Sequence, residues 1–334
     1  MGEKHTVRFE PLGIEMEADE DETVLNAAFR QGLMLMHGCK EGQCSACKSF
    51  LLDGDVDLDR YSTFALPDFE EAEGWTLLCR AHAYSDLEIE LINYDEEVIH
   101  SGTPIKTVRT RVECVEPLTS DIRRLRLKVD EEFDFKPGQY VDISIPGGEG
   151  HHRSFSMANL PGDGALEFMI KLYPGGRFSG LLEDGSIKPG DTLEVTGPYG
   201  VFTLRASSPR RLLFIGGGAG MAPILSLLRS HSGERAATYY YGARTEPDLF
   251  QLDELGQLPC TFVPALSEES NGWAGEAGLI TDVVDRLEVD DISEVDAYVC
   301  GPPPMVEAAI ALLERRGVPE AHIYFDKFTT TADE

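Results

Sequence analysis

Cys39, Cys44 and Cys47 stand in the spacing C-x4-C-x2-C, and Cys79 follows 32 positions after Cys47. A pair of bridged irons needs four thiolates, and one tight loop can supply three of them. The fourth must come from a distant segment to close the cage. Gly38 and Gly42 relieve such a loop of side-chain crowding. The small residues Ser45 and Ala46 let backbone N–H groups face the cluster sulfurs. Structural zinc, the alternative for four cysteines, usually takes paired C-x2-C knuckles, and Cys79 has no close cysteine partner. The spacing therefore points to a [2Fe–2S] cluster. Cys114 and Cys260 fall in strand-like apolar settings and are expected to be core thiols.

A second group is Arg153-Ser154-Phe155-Ser156, after a strand and a Gly-rich loop. The tetrapeptide alone is a weak signal. Downstream, Lys171-Leu172-Tyr173 leads into Gly175-Gly176-Arg177-Phe178-Ser179. Adjacent glycines opening a helix would leave N–H groups for a pyrophosphate. Arg153 could grip phosphate as a bidentate donor. Phe155 could stack on an isoalloxazine ring and Ser156 could donate to a ring nitrogen. Found in this order, the two elements point to a flavin.

A third group is Gly216-Gly217-Gly218-Ala219-Gly220-Met221-Ala222-Pro223, between a short apolar strand and a helix. That is the setting of a dinucleotide loop, although Met221 stands where G-x-G-x-x-G needs its third glycine. No acidic residue closes the second strand, which ends Tyr241-Gly242-Ala243-Arg244. Cys300-Gly301-Pro302-Pro303-Pro304-Met305 ends another strand, where ligands of such sheets bind. Arg244 is the only cation close behind Tyr241, and Glu246 and Asp248 are near it. A 2′-phosphate would be repelled there, which favours NADH over NADPH.

Three kinds of segment must position these groups. Residues 1–97 read as a hairpin (5–9, 13–17), a helix (21–31) stopped by Gly32, the cysteine loop, and strands at 48–52 and 87–92. Residues 98–103 lie in an apolar-poor stretch that reads as a linker. Residues 104–207 hold closely spaced strands at 107–115, 122–129, 140–145, 166–171 and 192–196, the pattern of an antiparallel barrel or sandwich. Residues 208–334 alternate strands (212–215, 238–241, 297–300, 323–325) with helices (224–229, 305–315), the pattern of a parallel doubly wound sheet.

The chain has 334 residues and a formal net charge of −30, and 42% of its residues are hydrophobic, enough for two or three cores. So acidic a surface repels nucleic acid and anionic membranes, and neither is expected as a partner. Residues 1–100 hold 23 Asp and Glu against 7 Lys and Arg, a net of −16, which suits docking to a basic protein surface. No apolar run is long enough to span a bilayer and no signal peptide is visible. Seven cysteines, four of them clustered, fit metal binding in the reducing cytoplasm.

Taken together, the motifs from Cys39 to Cys47 with Leu77-Leu78-Cys79-Arg80, Arg153 to Ser156, Gly176 to Ser179, Gly216 to Pro223, Tyr241 to Arg244 with Asp248-Leu249-Phe250, Cys300 to Met305 and Phe325-Asp326-Lys327-Phe328 give a resemblance along nearly the whole chain. It resembles the reductase components of bacterial soluble di-iron monooxygenases: a plant-type ferredoxin domain fused to a ferredoxin-NADP-reductase-like module. The family often has Glu where this chain has Asp326.

The resemblance implies an α+β β-grasp ferredoxin domain, an antiparallel β-barrel FAD domain and an α/β NAD domain. It implies that Cys39, Cys44, Cys47 and Cys79 bind the cluster. It implies that Arg153, Ser154, Phe155, Ser156, Lys171, Gly175, Gly176, Phe178 and Ser179 serve FAD. Gly216, Gly217, Gly218, Gly220, Met221, Pro223, Arg244, Gly301 and Pro302 would serve the nucleotide. Ser156, Cys300 and Phe328 would stand nearest the hydride transfer. NADH releases two electrons as hydride, the cluster accepts one at a time, and a flavin can do both, so it belongs between them. The expected recipient is the hydroxylase component. The alternatives are the reductase of a Rieske dioxygenase and, in another class, a cluster-based redox sensor.

Overall fold

The computed structural model describes residues 2–100, 102–148, 150–268 and 272–328. Ser101, in the expected linker, and residues 329–334 lie outside the described residues. The chain divides into two units, Met1–Lys106 with Pro198–Val201, and Thr107–Gly197 with Phe202–Glu334.

In the first unit, β1 (Lys4–Glu10) and β2 (Ile14–Asp19) form the expected hairpin, burying Val7, Phe9, Met16 and Ala18 on one face. Helix α1 (Val24–Arg30) starts three residues later than the sequence pattern indicates. The reason is Thr23, whose hydroxyl accepts from Asn26 N at 3.3 Å and fixes the helix start. Then come β3 (Lys48–Asp53), β4 (Val56–Leu58), α2 (Asp68–Ala72), β5 (Trp75–Leu77), β6 (Ala81–Ala83) and β7 (Leu87–Glu90). The main sheet has the order β2-β1-β7-β3-β5, with β7 parallel to β1, and α1 packs on it as in a β-grasp fold. The stretch read as a linker opens with a helical turn, α3 (Glu96–Ile99), instead of extended chain. Asp95 accepts from Glu97 N and Val98 N, and Val98 and Ile99 return to the core of the first unit. The low apolar content concealed a capped, two-residue anchor.

Apart from Lys106, Pro198 and Tyr199, which count with the first unit, the second unit begins with β8 (Lys106–Pro117), β9 (Ile122–Val129), β10 (Tyr140–Ser144), β11 (His152–Ser156), β12 (Ala165–Lys171), α4 (Ser179–Glu183) and β13 (Thr192–Tyr199). Their order, β11-β10-β13-β8-β9-β12, is antiparallel throughout the pairings β10/β11, β8/β9 and β9/β12. A bridge between Met157 and Phe168 joins the two end strands and nearly closes the barrel. Cys114 sits beside a bulge in β8, half-buried and not the core thiol expected, whereas Cys260, also half-buried, packs against the core of the parallel sheet. Bulges and strand ends expose what a continuous ladder would bury.

The rest of this unit comprises β14 (Arg211–Gly217), α5 (Met221–Ser230), β15 (Ala237–Ala243), α6 (Leu252–Leu255), β16 (Thr261–Leu266), β17 (Glu276–Ala277), α7 (Ile280–Leu287), β18 (Val295–Gly301), α8 (Pro303–Arg315) and β19 (Ile323–Lys327). The sheet is parallel, with the order β17-β16-β15-β14-β18-β19. β16 and α7 were not read from the sequence; Pro264 interrupts the first, and α7 carries acids and Arg286 between its buried positions. The chain reverses its direction of travel across the sheet between β14 and β18, which opens a crevice at their carboxyl ends. Helix α5 ties this sheet to the barrel: Ser226 Oγ donates to Asn159 O at 2.7 Å and Arg229 Nη1 donates to Ala158 O at 2.7 Å.

Phe168 is fully buried in the barrel core. Phe168→Ala is expected to destabilise the barrel by about 3–5 kcal/mol, read as a lowered midpoint in chemical denaturation followed by circular dichroism.

Candidate cofactor and electron-transfer sites

The four clustered cysteines meet two and two. Cys39 and Cys44 are hydrogen-bonded, and so are Cys47 and Cys79. Among the described residues no three His, Cys, Asp or Glu side chains close on a single ion. Cys39 N donates to Cys44 Sγ at 3.3 Å, while Glu41 N and Gln43 N donate to Cys39 Sγ at 3.4 and 3.2 Å. Such donors suit thiolates carrying cluster charge. The bond from Cys44 lowers the Cys39 thiol below its ordinary value, and raises Cys44 in turn. The bond to Cys47, and then burial, push Cys79 up.

Two features of the fold assemble this cage. Antiparallel pairing of β3 with β5 sets Lys48 against Leu77, and Leu78 N donates to Cys47 O at 3.2 Å, which carries Cys79 to Cys47. The loop itself turns through left-handed backbone at Lys40, Gly42 and Ser45. Gly42 has φ +68°, and a Cβ there would lie 2.7 Å from Tyr61 Cβ. The turn around residues 61–66 holds the loop, with Ser62 N donating to Gly42 O at 3.0 Å and Ser45 Oγ to Ala65 O at 2.9 Å. Sequence reading missed this turn, which carries no ligand type. A thiol set paired in this way, with N–H donors around it, fits a two-iron cluster.

The expected flavin residues divide. Arg153, Ser154, Phe155 and Ser156 lie on β11, against β10. Ser154 Oγ donates to Asp142 Oδ1 at 2.6 Å and Arg153 Nη1 to His152 O at 2.9 Å. Phe155 is half-buried, with its ring 5.0 Å from that of Phe178. Phe178 is 2% exposed and belongs to the barrel core, so its ring supports Phe155 from behind. One of the N–H groups expected to be open at this helix start is already bonded. Gly176 N is bonded to Tyr173 O at 2.9 Å, Ser179 Oγ accepts from Tyr173 N, and α4 is five residues long. Gly175, with φ +73°, keeps open space around its Cα. Lys171 Nζ is bonded to the carboxylate of Asp121.

The register of β14 with β18 sets Gly216 opposite Cys300 and brings the glycine loop to the crevice. Gly217 ends β14 and Gly218 begins a short 3-10 turn before α5. Gly220 packs so tightly that a Cβ would fall 2.3 Å from Cys300 O. Met221 and Pro223 are both buried in the first turn of α5, and Met221 packs in the core that anchors the loop. Gly301 and Pro302 lead from β18 into α8, and Phe328 N donates to Gly301 O at 3.3 Å.

Ser156, Cys300 and Asp326 come together from β11, β18 and β19. Ser156 Oγ donates to Asp326 Oδ2 at 3.4 Å, and Cys300 is fully buried, its thiol raised by burial and then by the charge of Asp326. Asp326 as a residue is half-buried, yet its carboxyl is enclosed. Burial raises that carboxyl to about 6, with the Ser156 hydroxyl opposing. Asp326 was noted in the sequence only as a family difference; the residue that it faces is 170 positions away.

Three family descriptions match consecutive stretches of the chain: the 2Fe-2S iron-sulfur cluster binding domain over residues 7–84, the oxidoreductase FAD-binding domain over 109–204 and the oxidoreductase NAD-binding domain over 214–310. The reductase component of propane 2-monooxygenase from Rhodococcus jostii (strain RHA1) is 54% identical, over 100% of this chain and 94% of the relative. The electron transfer component of toluate 1,2-dioxygenase from Pseudomonas putida is 32% identical, over 95% of this chain and 95% of the relative. A crystal structure of an Amycolatopsis cytochrome P450 reductase matches with a TM-score of 0.87 at 30% identity, over 98% of this chain and 99% of that one. With its cysteine cage, its barrel and its parallel sheet in that order, this chain belongs to the family of reductase components of bacterial soluble di-iron monooxygenases.

Proposed function

We propose that this protein takes electrons from NADH and delivers them one at a time, through FAD and a [2Fe–2S] cluster, to the hydroxylase component of a soluble monooxygenase. The observation that carries this reading is the two-by-two meeting of Cys39 with Cys44 and Cys47 with Cys79 in a chain that also carries the FAD- and NAD-binding domains. The identity of 54% to a propane 2-monooxygenase reductase, against 32% to a dioxygenase component, supports a monooxygenase as the partner system.

When bound, FAD supplies the conversion between a two-electron hydride and single electrons. The chain's own residues orient and tune. We assign residues 1–97 to the cluster, 104–207 to FAD and 208–334 to NADH. Arg153, Ser154 and Ser156 present polar groups from β11 for the flavin, with Phe155 backed by Phe178. Gly218, Gly220 and Gly301 keep the crevice clear of side chains, and Phe328 is held to Gly301. Ser156 and Asp326 hold a proton between them close to the buried thiol of Cys300. These groups fit orientation of a hydride donor more than acid–base catalysis.

Docking follows from charge and exposure. Phe64 is 95% exposed and Phe69 is 65% exposed, on either side of Asp68 in the acidic first unit, and Ala65 next to Phe64 is bonded to the cysteine loop. An aromatic anchor within an acidic rim fits a partner with a basic, partly apolar surface. Among the described residues no helix is long and apolar enough to cross a membrane. A cytoplasmic setting is part of the proposal.

Cys44→Ser should leave NADH-driven ferricyanide reduction intact and abolish electron delivery to the hydroxylase component; full delivery would break the linear route. Delivery by the native protein should fall steeply as added salt shortens the screening length from about 30 Å to about 8 Å, whereas a flat rate would refute electrostatic docking. The raised carboxyl of Asp326 binds its proton more tightly in the folded protein than in the unfolded one. Stability should therefore decline as pH rises from the ordinary aspartate value of 3.8 to about 6 and stay reduced above it. In thermal melts of the flavin-free protein, Asp326→Asn should match the native chain near pH 4 and exceed it above pH 6.

A further inference from the structure

We propose that Asp121, a barrel residue, makes the nucleotide site selective for NADH by occupying Arg244, the cation that would otherwise receive a 2′-phosphate. This rests on the reading that the carboxyl end of β15 takes the adenosine half of the dinucleotide.

In sheets of this kind the end of the second strand reads the ribose 2′ position. An acidic residue there accepts from the hydroxyl, and an arginine nearby accommodates the phosphate. By residue type alone, Arg244, which directly follows β15, looks like a phosphate acceptor. Its surroundings reverse that. Arg244 Nε lies 3.4 Å from Asp248 Oδ2, and Arg244 Nη2 lies 3.5 Å from Asp121 Oδ2. The arginine side chain is 60% exposed, so a nucleotide can reach it, while Asp121 and Asp248 are 28% and 17% exposed and only partly screened by water. Asp121 also bonds Lys171 Nζ and accepts from Thr119 Oγ1 at 3.0 Å. Both cations here are therefore already engaged by carboxylates.

The local charge makes the same point. Arg244 and Lys171 supply two positive charges, and Asp121, Asp248 and the neighbouring Glu246 supply three negative ones. A dianionic 2′-phosphate would add to a net negative site and would have to displace a carboxylate from Arg244. A 2′-hydroxyl carries no charge and can donate to the same carboxylates. Asp121 stays ionised at neutral pH. Burial alone would push its carboxyl up, but the bond and charge of Lys171, the Thr119 hydroxyl and Arg244 together hold it below the ordinary carboxylate value. The sequence showed Glu246 and Asp248 beside Arg244; the contribution of Asp121, 123 positions earlier, exists only in the fold.

The test is calorimetric titration of the full-length protein with adenosine 2′,5′-bisphosphate and with 5′-AMP. Asp121→Asn keeps the side-chain shape. It should tighten the bisphosphate about fivefold and leave 5′-AMP within about twofold. Adding Arg244→Ala to that variant should abolish the gain, and the kcat/KM ratio of NADPH to NADH should rise with Asp121→Asn alone. If the variant still binds 5′-AMP but gains nothing for the bisphosphate, Asp121 does not set the choice. A gain that survives Arg244→Ala would also overturn the proposal. If 5′-AMP fails to bind the native protein while NADH is still oxidised, the assignment of β15 to the adenosine half falls, and the proposal falls with it.

Discussion

Four sulfur atoms must be held within reach of one another against the tendency of a chain to keep them apart. Three lie within nine residues, which demands a loop too tight for ordinary backbone. It is met by left-handed turns at Lys40, Gly42 and Ser45, two of them at residues with a side chain. Such conformations are unfavourable in isolation and persist because neighbours over-determine them. Here the neighbours are the carbonyl of Ala65 and the amide of Ser62, which bond the loop from a turn without ligands of its own. The fourth sulfur arrives because β3 and β5 pair in a register that leaves Cys47 and Cys79 side by side. Sheet pairing and loop geometry thus serve one demand.

The second unit solves a similar problem with a parallel sheet. Its groups for chemistry come from strands far apart in sequence, β11 of the barrel and β14, β18 and β19 of the sheet, where the register Gly216 to Cys300 aligns the carboxyl ends of β14 and β18. Close backbone approach at Gly220 lets the glycine loop lie directly on the end of β18. The buried side chain of Met221, part of the sheet's core, then holds α5 in place. Residues of a nucleotide motif can therefore matter by anchoring the loop rather than by touching a ligand.

Three aspartates show how far surroundings decide the behaviour of one side chain. Asp296 is fully buried on β18, where Arg235 and His322 bond its carboxylate oxygens. Asp121 is partly buried and kept charged by two cations. Asp326 is enclosed with only a serine hydroxyl for a partner, and its carboxyl rises to about 6. For Asp121 and Asp326 burial alone disfavours the charge, and the partner decides the outcome.

Much of this protein was legible in its sequence. The cysteine spacing, the strand periodicity of the barrel and the alternation of strand and helix are local patterns, and local patterns follow from side-chain period and turn chemistry. The resemblance to a reductase family rested on those same motifs. What stayed hidden depends on contacts between distant residues. The turn at 61–66 and the anchor of Val98 and Ile99 carry no motif. Phe178 could be named from its motif, but only the barrel shows that it is core. Pairing of Asp326 with Ser156, and of Asp121 with Arg244, needed strands brought together across 170 and 123 positions. A sequence determines which groups are present and how nearby ones are spaced; which groups face each other is decided by packing, because burial and register act through space rather than along the chain.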